Sequence, residues 1–148
     1  SKVPYIHSQQ FLIKFLRACF FDVGEACQRY FRCLDLMHGL FGDIALKRPL
    51  MMSDLTIREQ RYLKKGQMQL LPARDRAGRR IYSFSGREDK NLTVSEKYRT
   101  SMYLIDVCSE DETTQKLGIV FLFSQQQIGF HGGHSAPASE IFFVPRRT

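Results

Sequence analysis

The chain has 148 residues, 43% of them hydrophobic and 25% charged, a mixture that fits a globular domain and excludes a disordered tail or a fibrous repeat. Lys plus Arg number 22 against 15 Asp plus Glu, and the net charge of +7 favours anionic partners such as phospholipid or nucleic acid without choosing between them. No apolar run reaches the roughly 18 to 20 residues that a membrane-spanning helix needs, and Ser1 to Gln10 lacks the layout of a secretory signal, so the expectation is a soluble, untargeted chain.

The first elements read as helices. Phe11, Leu12, Phe15, Leu16 and Cys19 recur at helical spacing, with Lys14 and Arg17 on the wet face. Asp22, followed three places on by Glu25, has the form of a capping box and starts a second helix near Val23. Its apolar stripe is Val23, Ala26, Cys27, Tyr30, Phe31, Leu34 and Met37, and His38-Gly39 gives the stop. Residues 42 to 52 read as a loop, and a third helix is expected over 53 to 65, capped by Ser53 or Asp54.

After Gly66 the pattern changes to strands. Gln67 to Leu71 alternates in part, Pro72 interrupts, and the turn-rich Arg74 to Arg79 leads into a strand at 80 to 85, with Tyr82 and Phe84 on one face and Ile81, Ser83 and Ser85 on the other. Thr93 and Glu96 form a second capping box, opening a helix of about four turns over 94 to 108 along Val94, Tyr98, Met102, Ile105 and Cys108. An acidic loop, Ser109 to Glu112, precedes the apolar run Leu117 to Phe123, whose length and composition suit a parallel strand covered on both faces. The strand at 80 to 85, the helix and this strand make one βαβ unit. The expected class is α/β, or α+β overall: a helical lobe over 1 to 66, a partial sheet lobe over 67 to 125, and an unassigned tail over 126 to 148.

Phe15-Leu16-Arg17-Ala18 with Phe21-Asp22-Val23 is similar to the signature that opens the CRAL-TRIO (Sec14-like) lipid-binding proteins, and Asp75-Arg76-Ala77-Gly78-Arg79 before Ile81-Tyr82 resembles the hairpin into their lipid-binding lobe. The resemblance covers about residues 8 to 125. It implies a helical lobe followed by a lipid-binding lobe truncated after its first βαβ unit, whose sheet floors an apolar pocket for a phospholipid, a tocopherol or a retinoid. It implies no covalent chemistry and no cofactor. Cys19-Phe20 stands where many phosphoinositide-transferring members carry a basic pair.

On this reading the ligand-facing set is Tyr82, Phe84, Tyr98, Met102, Ile105, Ile119, Phe121 and Phe123. The same residues would equally serve as ordinary core. Headgroup or membrane contacts fall to Arg17, Arg74, Arg76, Arg79 and Arg80. Residues 58 to 87 hold basic residues at 58, 61, 64, 65, 74, 76, 79, 80 and 87 against two acids, Glu59 and Asp75, so this window alone carries the net charge. An anionic membrane surface would use such a patch, and so would nucleic acid, with Tyr62, Tyr82 and Phe84 as stacking platforms. A protein-interaction module that docks a partner, or a second copy, on an exposed sheet is the competing class.

Cys19, Cys27, Cys33 and Cys108 lie in apolar stretches without zinc-ligand spacing, which points to reduced, buried thiols and a cytosolic compartment. His131-Gly132-Gly133-His134 lacks the companions of a metal site and reads as a turn. Thr93 of the sequon Asn91-Leu92-Thr93 is wanted as a helix cap instead. Ser124 and Ser135 have no nucleophile elbow around them and the chain has no phosphate-binding glycine loop, so no enzyme activity is expected. Glu140 to Pro145 could form a closing strand.

Overall fold

A computed structural model describes residues 3 to 85 and 91 to 123. A single 3-10 turn at Tyr5–His7 leads into α1 (Gln9–Ala18), α2 (Val23–Phe41) and a one-turn α3 (Ile44–Lys47). After another 3-10 turn come α4 (Ile57–Lys64), the strands β1 (Met68–Arg74) and β2 (Arg80–Phe84), α5 (Val94–Ser109), α6 (Glu112–Leu117) and β3 (Ile119–Phe123). The class is mixed α+β.

Side-chain caps explain where the helices begin. Ser8 accepts the Phe11 N–H, Asp22 the Glu25 N–H and Thr93 the Glu96 N–H, and Glu96 reaches back to Thr93 in a full capping box. Several boundaries differ from the sequence expectation. α2 runs through His38-Gly39, the expected stop, to Phe41 and ends at Gly42, at φ 67°, and the short α3 lies in the expected loop over 42 to 52. The third helix starts at Thr56 rather than Ser53 or Asp54, because Thr56 and Glu59 complete a capping box of their own. The acidic stretch before β3 is not a plain loop: Asp111 accepts the Thr114 N–H at 3.0 Å and nucleates α6, which takes in Leu117 and ends at Gly118, at φ 87°. Residues 112 to 117, Glu-Thr-Thr-Gln-Lys-Leu, carry no helical apolar stripe to announce this turn.

Among the described residues the sheet has the order β1-β2-β3. The first pair is antiparallel, with Met68 opposite Phe84 and Leu70 opposite Tyr82. Pro72 sits in β1, an edge strand whose register shifts between Leu70 and Arg74, where a residue without an N–H does least harm to the ladder. The second pair is parallel, matching Arg80 to Ile119, Tyr82 to Phe121 and Phe84 to Phe123 across the crossover through α5.

The expected change from helix to strand falls near Gly66, yet the two halves share one interior. Phe11, Phe15, Met37 and Tyr62 belong to the same buried cluster as Met68, Tyr82, Met102, Ile105 and Ile119. On α2 the buried residues are Ala26, Arg29, Cys33 and Met37; Ala26 and Met37 belong to the expected stripe and its Tyr30 and Leu34 pack against the core, but its Val23, Cys27 and Phe31 are left exposed. Arg29 takes an inward position because Glu25, one turn earlier, holds its guanidinium at 3.0 Å.

Candidate functional site

The eight residues expected to face a ligand divide three ways. Tyr82, Met102, Ile105 and Ile119 are buried in the common core, and Phe84 and Phe121 pack against it. Tyr98 and Phe123 are exposed. The Tyr82 side of the sheet is therefore the seam to α5. The Tyr82 hydroxyl donates to Ser101 Oγ at 3.0 Å, Thr100 Oγ1 lies 3.7 Å from Met68 Sδ, and the Tyr82 and Phe121 rings meet at 5.3 Å. Burial pushes the Tyr82 phenol up to about 12. Phe84, Phe121 and Phe123 continue the seam as a row of touching rings toward the open ends of β2 and β3.

Strand alternation puts Ile81, Ser83, Val120 and Leu122 on the opposite face, in register as Ile81 beside Val120 and Ser83 beside Leu122. The apolar members of this set lie outside the common core, and Leu122 is 51% exposed. α5 and α4, the helices that pack most closely on the strands, touch β1, and α5 carries the partners of Tyr82 and Met68 on the other face. This second face, half-buried at Ile81, Ser83 and Val120 and exposed at Leu122, was not weighed as a ligand surface because the aromatic residues drew attention to the other side. The register of β2 against β3 was the signal that could have found it.

Most of the arginines expected at a headgroup are held inside the molecule. Arg17 donates to Gln115 at 2.6 Å and pairs with Glu112 at 3.2 Å, tying α1 to α6. Arg74 pairs with Asp111 and donates to the Gly78 carbonyl at 2.9 Å. Arg79 closes the hairpin turn on Asp75 at 2.6 Å. These contacts hold the Asp111 carboxyl down at about 2, through Thr114 first and Arg74 next, and lower Asp75 in the same way through Arg79. Arg80 is half-buried, with its Nε meeting no acceptor among the described residues. Arg76 is exposed in the turn.

The basic window is thus partly neutralised from outside itself, by Asp111 and by Glu96, which lies 3.6 Å from Arg58. Tyr62 and Tyr82 are buried, so neither offers a ring face for a base to stack upon.

Two buried polar centres escaped the sequence reading. Arg99 of α5 donates to Glu59 at 2.7 Å, to the Asp54 carbonyl at 2.7 Å and to the Leu40 carbonyl, with its guanidinium 4.3 Å from the centre of the Phe41 ring. Glu59 is fully buried and also accepts the Thr56 N–H at 2.8 Å. At the other end of α5, the fully buried Lys14 pairs with Glu110 and lies 3.3 Å from Ser109 Oγ. Asp106, alongside, accepts the Leu50 N–H at 3.0 Å, and burial raises its carboxyl above the usual range against the pull of Lys14. A helical period cannot announce such residues, since Lys14 sits on α1 among positions that look wet.

The four thiols are free, and burial pushes Cys33 and Cys108 up to about 12. Cys27 departs from the expected burial: it is exposed. Thr93 serves as the expected cap beside Asn91. Arg87, Ser124, His131, His134, Ser135 and the expected strand over 140 to 145 lie outside the described residues. No described helix is long and apolar enough to cross a membrane. Comparison with protein-family models and with curated proteins finds nothing that matches the chain.

Proposed function

We propose that the chain is a non-catalytic lipid-binding or lipid-transfer module of CRAL-TRIO type, in which the face of the sheet away from α5 lies against an acyl chain. The observation that carries this reading is the side of the sheet away from α5: β2, α5 and β3 form a parallel crossover, and among the described residues Ile81 and Val120 are half-buried and Leu122 exposed on that far side. An acyl chain gains roughly 0.8 kcal/mol for each methylene it buries, so a shallow apolar floor suffices for affinity without any chemical step. Arg76, exposed in the hairpin turn, is the best-placed of the five arginines for a headgroup or an anionic membrane surface, since Arg17, Arg74 and Arg79 already have carboxylate partners. The same reading places the protein in the cytosol with peripheral membrane contact.

The test is mass spectrometry of organic extracts from the purified chain, followed by exchange of a fluorescent phospholipid from anionic vesicles. Stoichiometric lipid, lost in Leu122→Asp and retained in Tyr82→Phe, is the expected result. A chain that carries no lipid and takes none from vesicles overturns the reading.

A further inference from the structure

α2 turns Ala26, Arg29, Cys33 and Met37 inward and leaves Val23, Cys27 and Phe31 facing out, one turn apart from each other. Val23 is 64% exposed and Phe31 63%. The corner that precedes α2 adds Phe20 at 67% and Phe21 at 61%. Both corner residues have positive φ, 51° and 64°, a region that costs a bulky side chain about 1–2 kcal/mol. The chain holds two aromatic rings in water on a strained backbone, and strain of this kind collects at functional surfaces.

We propose that this stripe is the interface for a second copy of the chain. Its size fits: at roughly 200 Å² per aromatic side chain, three phenylalanines about two-thirds exposed, with Val23 and Cys27, offer about 500 Å² of apolar surface. A standard interface buries about 800 Å² on each partner, and homodimers make about 65% of that apolar, which is about 520 Å². The pattern is also self-complementary. Val23 lies one turn before Cys27 and Phe31 one turn after, so a two-fold axis at Cys27 sets the α2 helices antiparallel with Val23 of each copy against Phe31 of the other, small against large. The corner rings then lie over the half-buried Leu34 of the opposite helix. Asp22, Glu25 and Asp35 are exposed along the same helix against one exposed base, Arg32, a net negative charge that an anionic bilayer would repel, which favours a protein partner over a membrane here.

Sedimentation equilibrium of the full chain over a wide concentration range tests this. The wild type is expected to form dimers, and Phe31→Glu to weaken them at least about tenfold with its far-UV circular dichroism and unfolding midpoint preserved, because the side chain is exposed in the monomer. Oxidation by copper-phenanthroline gives a second readout. In the dimer the two Cys27 thiols lose two protons to solvent and two electrons to two copper(II) complexes, which become copper(I), and form an intermolecular disulfide. Cys27→Ser abolishes the cross-link and keeps the association. A chain that stays monomeric throughout, a dimer indifferent to Phe31→Glu, or a dimer that does not cross-link at Cys27 overturns the proposal.

Discussion

Replacing Arg99 with alanine should cost more stability than any other single truncation of a charged side chain in the fold. Its Nε lies 2.7 Å from a carboxylate that has no exposure, so the variant leaves Glu59 buried with, among the described residues, the Thr56 N–H at 2.8 Å as its remaining donor. Removing one partner of such a pair costs about 3–5 kcal/mol. The Asp54 and Leu40 carbonyls also lose their donors, at about 1 kcal/mol each, and the Phe41 ring loses a stacked cation worth about 0.5–1 kcal/mol. These contributions share one side chain and overlap, so about 4–6 kcal/mol is expected in total. That approaches the whole stability of an ordinary domain, about 5–15 kcal/mol. With a urea slope of about 2 kcal/mol per M, the unfolding midpoint followed by circular dichroism should fall by about 2–3 M. A double-mutant cycle with Glu59→Gln should show strong coupling between the two sites. A loss below about 1 kcal/mol, or additive effects of the two substitutions, would refute the account of Arg99 as the tie between α2, α4 and α5.

Asp111→Ala removes the α6 cap and the Arg74 partner together. The cap is worth about 1 kcal/mol and the partly exposed ion pair up to about 1 kcal/mol more, so chemical denaturation should read a loss of about 1–2 kcal/mol, shrinking in acid as the wild-type carboxyl titrates toward about 2. Gly78→Ala strains the hairpin turn: φ is 80° there, and an added Cβ would stand 3.1 Å from Leu117 Cδ1, so thermal melts should show a loss of about 1–2 kcal/mol. An unchanged melt would mean the turn relaxes freely. Asp106 titrates with the opposite sign to Asp111. Burial raises its folded pKa, so its contribution to stability is complete below about pH 4 and declines as pH climbs through the raised value. Asp106→Asn, which keeps an acceptor for the Leu50 N–H, should flatten the stability profile above pH 4, and a slope identical to the wild type would exclude Asp106 as its source.

The order of the larger elements was legible because each rests on local signals. Asp22 and Thr93 act as caps where their spacing to Glu25 and Glu96 said they would, and the parallel partners β2 and β3 flank α5 as expected, although the apolar run of β3 is not covered on both faces at its end, where Leu122 and Phe123 are exposed. The failures share a cause. The direction in which an amphipathic element faces depends on what lies across from it, and that is not local. On α2 the expected stripe holds at Ala26 and Met37, with Tyr30 and Leu34 against the core, but packing against α1 and α5 also brings in Arg29 and Cys33 and leaves Val23, Cys27 and Phe31 outside. In β2 and β3 the aromatic residues were assigned to a ligand from the family resemblance, with ordinary core as the alternative, and tertiary packing uses Tyr82 and Phe121 to join the sheet to α5.

The same non-local logic explains why a chain that changes character at Gly66 has no corresponding gap in its core. Lys14 and Arg17 on α1 reach Glu110, Ser109, Gln115 and Glu112 on the far side of that boundary, and Arg99 reaches back across it to Glu59, Asp54 and Leu40. Each of these charges is tolerated in or near the interior only while its counterpart, on an element about 40 to 100 residues away in the sequence, stays in place. Opening the helical half without unfolding the sheet would leave Glu59 uncompensated on one side and Arg99 on the other. The halves are therefore expected to unfold together; of the arginines first read as a headgroup patch, Arg17 ties α1 to α6 and Arg74 ties β1 to the α6 cap, Arg79 closes its own turn, and Arg76 stays exposed.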